Sequence, residues 1–199
     1  DFKLTPNVVE EIFRLNHQDI ERYLDYRYRY EIFPIQKTLS EYPPCIQIEP
    51  TSICNLRCVF CYQTDTEFTS NKNGHMGNMD WSLFTKVVDE AKGKCEAITL
   101  ASRGEPLIHP EIGKMLQYMS GHFLASKMNT NATLLSERLC HEILDSGLST
   151  VVFSADAAEE PLYSQLRVRG KLDRVLANIR RFKEIKEKSE EKMEEKKKE

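Results

Sequence analysis

Cys54-Asn55-Leu56-Arg57-Cys58-Val59-Phe60-Cys61 sets three thiols at spacings of four and three residues. A cubane iron–sulfur cluster takes four cysteine ligands, one per iron. Three cysteines in one short loop grip three corners and leave one iron open to bind a small molecule and pass it an electron. The spacing therefore points to chemistry rather than to a structural staple. Structural zinc closes a tetrahedron from paired half-sites, and no second half-site follows. His75 is the nearest histidine after Cys61 and has no second histidine close to it. Zinc, or unmetallated loop cysteines, is the alternative.

Outward from this loop, the chain reads as one globular unit. Its 199 residues are enough for a domain with a real core, and 40% apolar against 30% charged content suits a soluble protein. A net charge of −3 argues against a general nucleic-acid or membrane-surface binder. No apolar run approaches a membrane span, and no signal peptide is visible. The chain opens at Asp1 without an initiator methionine, so upstream residues are expected. Six cysteines are too few and too clustered for a secreted disulfide framework. Cys45, Cys95 and Cys140 sit in or beside apolar patterns and read as small buried hydrophobes. A reducing cytoplasm is the expected location.

Residues 4–33 read as helical, with Val9, Ile12, Phe13, Ile20 and Leu24 approximating an apolar stripe. Tyr23, Tyr26 and Tyr30 fall on one face, and packing on the main domain is preferred over stacking on nucleic acid. Pro34 and Pro43-Pro44 punctuate a connector. Cys45–Glu49 is a first strand. Thr64–Asn78 is a long polar loop or lid, and Asp80 caps a helix with Phe84, Val87, Val88 and Ala91 inward. Ala97–Leu100 is a second strand, and Pro110 opens a helix carrying Ile112, Met115, Leu116 and Met119. Phe123–Met128 is a third strand, followed by a helix capped by Ser136. Thr150–Phe153 is a fourth strand, and a last helix carries Leu172, Val175, Leu176, Ile179, Phe182 and Ile185. From Glu187 the chain is almost wholly Glu and Lys, a solvated helix extension or a disordered tail.

Strand and helix alternate four times, which predicts an α/β fold with a parallel sheet. In a βα barrel the working face lies where strands hand over to helices. The polar motifs fall at those handovers: the cysteine loop after strand one, Arg103-Gly104-Glu105-Pro106 after strand two, Asn129-Thr130-Asn131 after strand three, and Ser154 with Asp156 after strand four. Four segments are thus expected to converge on one site. His17, His75, His109, His122 and His141 form no spaced constellation and read as surface or capping residues.

C-x3-C-x2-C with an aromatic before the last cysteine resembles the signature of the radical S-adenosylmethionine (radical SAM) superfamily. The resemblance runs from about Pro44 to about Lys186. It implies a partial parallel (βα) barrel with about four βα units present, preceded by an N-terminal helical extension. The implied organisation is 1–43 extension and connector, 44–186 incomplete barrel core and 187–199 charged tail. The family's usual remaining units, and the auxiliary-cluster domain of its SPASM-type members, are expected outside this chain.

By resemblance, Cys54, Cys58 and Cys61 ligate a [4Fe–4S] cluster whose open iron chelates the amino and carboxylate groups of S-adenosylmethionine. Phe60 takes the position that packs by the adenine, with a core contact as the alternative. Gly104 and Glu105 match the family's Gly-Gly-Glu-Pro segment, which holds the methionine amino group. Arg103 replaces its first glycine, placing a cation near the ligand carboxylate or the substrate, unless it is a plain surface arginine. Asn129 and Ser154 match positions that offer polar groups to the methionine or ribose, and Asn131 is a weaker candidate. Arg167 is placed to reach a carboxylate, a surface ion pair being the alternative. Helix caps or turns are the plainer reading of Asp156 and Asn131.

The implied reaction is one-electron cleavage of S-adenosylmethionine to methionine and a 5′-deoxyadenosyl radical, which abstracts hydrogen from a substrate. A low-potential donor, flavodoxin or ferredoxin, is implied, and the substrate class of the look-alikes is a peptide or cofactor precursor. The competing readings are an iron–sulfur or zinc-binding module without catalysis and an inactive fragment of such an enzyme.

Overall fold

The computed structural model describes residues 4–198; residues 1–3 of the N-terminal extension and residue 199 of the charged tail lie outside the described residues. Two helices come first, α1 (Pro6–Arg14) and α2 (Ile20–Gln36). They are separate because Leu15 and Asn16 are extended, so the single helix expected over residues 4–33 is broken. Thr5 caps α1, accepting from the Val8 amide. Pro34 lies inside the last turn of α2 rather than in the connector. There the helix is already ending, and Lys37 in the left-handed conformation (φ 55°) closes it with bonds to the Phe33 and Pro34 carbonyls. The expected stripe also shifts: Val8 is buried, whereas Phe13 is exposed.

Four βα units follow: β1 (Cys45–Ile48) and α3 (Trp81–Ala91), β2 (Ala97–Leu100) and α4 (Ile112–Met119), β3 (Ala125–Thr130) and α5 (Glu137–Asp145), then β4 (Thr150–Phe153), a short α6 (Leu162–Leu166) and the 27-residue α7 (Leu172–Lys198). All strand pairs are parallel and the order is β1-β2-β3-β4. Consecutive neighbours all the way across are the arrangement of a barrel wall, not of a doubly wound sheet with its strand-order reversal. The fold is therefore α/β with a partial parallel barrel. The charged stretch after Glu187 continues α7 as helix. Among the described residues, no helix is long and apolar enough to cross a membrane.

Alternation within each strand sorts the side chains into two faces. Ile48, Ile98, Leu100 and Met128 point to the helical layer and join Phe84, Val88, Met115, Leu116 and Ile143 in the main core. Met115 and Met119 are core filler, as read from the sequence. The other face carries Gln47, Thr99, Lys127 and Asn129 and is polar. A smaller cluster of Val8, Tyr23, Tyr26 and Ala97 fixes α1 and α2 against the starting ends of the strands. His109 is not on the surface but buried, and it has the capping role: its ring accepts from the Glu111 amide (3.1 Å) just ahead of α4 and lies 3.0 Å from the Met79 carbonyl.

Ile98 is fully buried at the centre of the core. Its replacement by alanine is expected to cost about 2–5 kcal/mol, since lost transfer energy and a residual cavity add. Urea denaturation followed by circular dichroism measures this.

Candidate metal centre at the strand ends

The chain leaves β1 at Ile48 and runs through the cysteine loop across the ends of β2 and β3. The start of the loop is tied to the long segment before α3. The Ser52 amide donates to the Gly77 carbonyl (3.0 Å), the Gly77 amide donates to Ser52 Oγ (2.8 Å), and Thr51 forms an antiparallel bridge with Asn78. Its middle is held by the end of α6 and the residues just after it: the Arg57 and Val59 amides donate to the Val168 and Leu166 carbonyls, both at 3.0 Å. Leu56 is buried beneath it, between the cysteines in sequence. Gln63 is 1% exposed, and its Nε2 donates to the carbonyls of Ser52 (2.7 Å) and Arg103 (3.0 Å). It thereby locks the exit of the loop to its entry and to the turn after β2.

That turn makes the closest approach in the site. A Cβ on Gly104 would lie 1.8 Å from the Thr51 carbonyl oxygen and 2.8 Å from that of Ile53, and the Glu105 amide donates to the Ile53 carbonyl (2.9 Å). The role expected of Gly104 was approach to a ligand; its visible demand is the approach of another backbone. Glu105 is 3% exposed and stitches the turn to the end of β3. One of its oxygens accepts from the Leu107 amide (3.1 Å) and Thr130 Oγ1 (2.6 Å), the other from the Asn131 amide (2.7 Å). Burial pushes its carboxyl upward, opposed chiefly by these three donors. The second oxygen keeps acceptor capacity towards the cavity.

Asn131 is an organiser of the loops. Its Nδ2 donates to Asn55 Oδ1 (3.1 Å) and lies 4.0 Å from Cys54 Sγ, while Asn55 donates in turn to Thr133 Oγ1 (2.7 Å). Arg167 pairs with Asp156 and lies over the Phe60 ring, 5.5 Å from its centroid. The guanidinium is nearly buried while the Asp156 carboxylate is 40% exposed, so the ion pair is present and only half at the surface. Phe60 is 59% exposed and is not a core contact. Arg103 also borders the cysteine cavity, and its side chain is held in an ion pair. Glu49 takes its guanidinium in a two-pronged pair (Nη2 to Oε2 2.7 Å, Nε to Oε2 3.0 Å), and it lies 5.3 Å from the Phe68 centroid.

Cys54, Cys58, Cys61, Phe60, Gly104, Glu105, Asn129, Ser154 and Arg167 all line one cavity of about 180 Å3. The six cysteines are free. Burial raises the Cys54 and Cys58 thiols, with Arg167 working against it at Cys58. Among the described residues, no three Cys, His, Asp or Glu side chains are gathered tightly enough to grip a single ion. The arrangement offers three sulfurs around a space rather than around a point. Asn129 Oδ1 is buried in the cavity wall without a hydrogen-bond partner. A buried orphan acceptor is costly unless something donates to it. Soft sulfur donors on one side and unfilled polar acceptors on the other fit an iron–sulfur cluster carrying a polar ligand.

Sequence reasoning missed Gln63, Asn55 and Thr133. Gln63 follows Cys61 by two residues with no pattern to mark it, and its importance rests on two carbonyls distant in sequence. The short α6, whose last residue Leu166 accepts from the cysteine loop, was also missed.

If Gly104 is required by that backbone crossing, Gly104→Ala is expected to lose about 3 kcal/mol or more by overpacking. Gly77→Ala, whose added Cβ meets nothing within 4 Å, should stay within about 0.5 kcal/mol of the parent. Parallel guanidinium denaturation curves measure both.

A profile of the Radical SAM superfamily matches residues 48–189. The chain is 33% identical over 113 residues to the tungsten-containing aldehyde ferredoxin oxidoreductase cofactor-modifying protein of Pyrococcus furiosus, covering 56% of this chain and 30% of that protein. It is 24% identical over 140 residues to a mycofactocin maturase of Mycobacterium tuberculosis, covering 69% of this chain and 34% of that protein. Among solved structures, that of Streptococcus suis SuiB bound to its precursor peptide SuiA superposes with a TM-score of 0.61 at 19% identity, over 90% of this chain and 41% of that one. This last likeness is one of fold. The chain spans 30–41% of the length of the curated relatives it matches. Members of the superfamily bind a [4Fe–4S] cluster and S-adenosylmethionine. With its profile match running from the end of β1 into α7, the chain belongs to the radical SAM superfamily.

Proposed function

We propose that the chain is the cluster-bearing part of a radical SAM enzyme of the oxidoreductase or maturase type, with Cys54, Cys58 and Cys61 as the ligands of three irons of a [4Fe–4S] cluster. The observation that carries this reading is the convergence of three free thiols with residues from the ends of β2, β3 and β4 on one cavity. A cluster held by Cys54, Cys58 and Cys61 would supply one-electron reduction of S-adenosylmethionine, the chemistry that would yield methionine and a 5′-deoxyadenosyl radical able to take hydrogen from a substrate.

The chain's own residues bind and orient. Glu105 accepts a charge-assisted hydrogen bond from the methionine ammonium through its less occupied oxygen. Gly104 keeps that carboxylate in place by letting the turn cross the cysteine loop. Asn129 offers its unpartnered oxygen, and Ser154 its hydroxyl, to the methionine or ribose portion. Phe60, exposed at the cavity mouth, packs on the adenine. Arg167, anchored by Asp156, takes the ligand carboxylate and keeps a positive charge beside Cys58.

The electron comes from a low-potential donor, flavodoxin or ferredoxin. The substrate is a peptide or a cofactor precursor, supported by the names of the relatives: a maturase, a cofactor-modifying protein and a structure holding a precursor peptide. Neither nucleic acid nor membrane is a partner on this reading, and free cysteines suit a reducing cytoplasm.

Anaerobic reconstitution with iron and sulfide is expected to load about four irons per chain. Reduction in the presence of S-adenosylmethionine should then yield 5′-deoxyadenosine, detected by chromatography. Cys58→Ala should abolish the product. Zinc in place of iron, or iron loading that does not depend on Cys58, would contradict the assignment.

A further inference from the structure

The short α6 buries a phenol. Tyr163 is 0% exposed and its ring packs in the main core, yet among the described residues its hydroxyl has no hydrogen-bond partner. Packing alone calls for phenylalanine here. A buried donor left unpaired costs its desolvation with nothing gained in return. Such a group marks an acceptor still to be supplied.

The phenol is held in one place beside the cysteine loop. A Cβ on Gly170 would lie 2.9 Å from the Tyr163 Cε1 and 3.2 Å from its hydroxyl oxygen, so the ring depends on a glycine there. One turn along α6, the Arg167 amide donates to the Tyr163 carbonyl (2.7 Å). The Arg57 and Val59 amides donate to the Val168 and Leu166 carbonyls, so Cys58 lies between two bonds to the end of the helix that carries Tyr163.

Few groups near the phenol are able to accept from it. Burial pushes its pKa up, and the charged groups acting on it are Arg167, Cys58, Glu160 and Asp156, in that order. Arg167 carries donors only. The two Glu160 oxygens accept from the Ser164 amide (3.1 Å) and the Leu172 amide (3.0 Å). Asp156 is engaged by Arg167 and is 40% exposed, so water meets its remaining capacity. The Cys58 sulfur is left. A thiol is a weak acceptor, whereas a thiolate on iron is a charged and stronger one.

We propose that Tyr163 is a positioning residue that donates its O–H to the sulfur of Cys58 when that sulfur is bound to iron, and so sets the potential at which the cluster takes its electron. This deepens the radical SAM reading and rests on it. A donor to a ligating sulfur favours the reduced, more negative cluster and raises its reduction potential.

The test compares the 199-residue protein with Tyr163→Phe, each reconstituted anaerobically with iron and sulfide and titrated against redox mediators, with the reduced cluster read by electron paramagnetic resonance. Before iron is added, Tyr163→Phe should resist urea at least as well as the parent, because it deletes only an unpaired hydroxyl. It should load the same amount of iron. Its midpoint potential should fall by about 59 mV, a tenfold shift in a one-electron equilibrium. Placing 3-fluorotyrosine at position 163, a stronger donor of similar size, should move the potential the other way. Tyr118→Phe removes a hydroxyl bonded to Asp89 on the helical layer and should leave the potential unchanged. An unchanged or raised potential in Tyr163→Phe, an equal shift in Tyr118→Phe, or loss of iron from Tyr163→Phe would overturn the proposal. Failure of the parent to take up iron would instead sink the cluster assignment on which it rests, so the two readings fail by different observations.

Discussion

The turn after β2 passes over the cysteine loop at a distance that only a glycine permits. At Gly104 the space that a side chain would take is filled by the carbonyls of Thr51 and Ile53. The next residue, Glu105, bonds through its amide to Ile53 and through its buried carboxylate to Thr130 and Asn131. One close crossing therefore couples the ends of β1, β2 and β3. Three polar segments that would each be an ordinary surface loop become a single rigid wall. Desolvating a carboxylate in this way is tolerable because three donors meet it.

With that wall in place, the cysteine loop needs no secondary structure of its own. Its entry is held by Gly77, its middle by the carbonyls of Leu166 and Val168, and its exit by Gln63. These supports lie before α3, at and just after the end of α6, and within the loop, so the thiols are positioned by contacts from much of the domain. On the outer side of the sheet the packing is apolar and conventional. On the inner side it grades from small residues under α2, through a polar row, to the thiols.

Much of the fold was legible because periodicity reports burial directly. Ala97–Leu100 and Thr150–Phe153 were read at their observed limits, and Ser136 caps α5 as expected. β3 was placed two residues early because Asn129 and Thr130 look like loop residues, yet they pair with Val152 and Phe153 inside the sheet. The break between α1 and α2 carries no Pro or Gly and left no mark. α6 is too short to show a period. The cysteine loop and the Glu105 turn were legible because their chemistry is written in residue type. What stayed hidden was tertiary: Arg167 and Asp156 were each singled out but not as partners, and the contact that makes Gly104 necessary lies more than forty residues away. Arg103 was expected near the ligand or on the surface; it borders the cysteine cavity, and its pairing with Glu49, the last residue assigned to the first strand from sequence, was not foreseen.

The central claim is a cluster held by three thiols with one iron left open to S-adenosylmethionine. Electron paramagnetic resonance of the anaerobically reconstituted, reduced protein tests it most directly, recorded before and after adding that molecule. A reduced cubane signal whose g-values shift on addition is the predicted result, because S-adenosylmethionine would change the surroundings of an iron that no cysteine holds. A signal that does not respond would contradict the account.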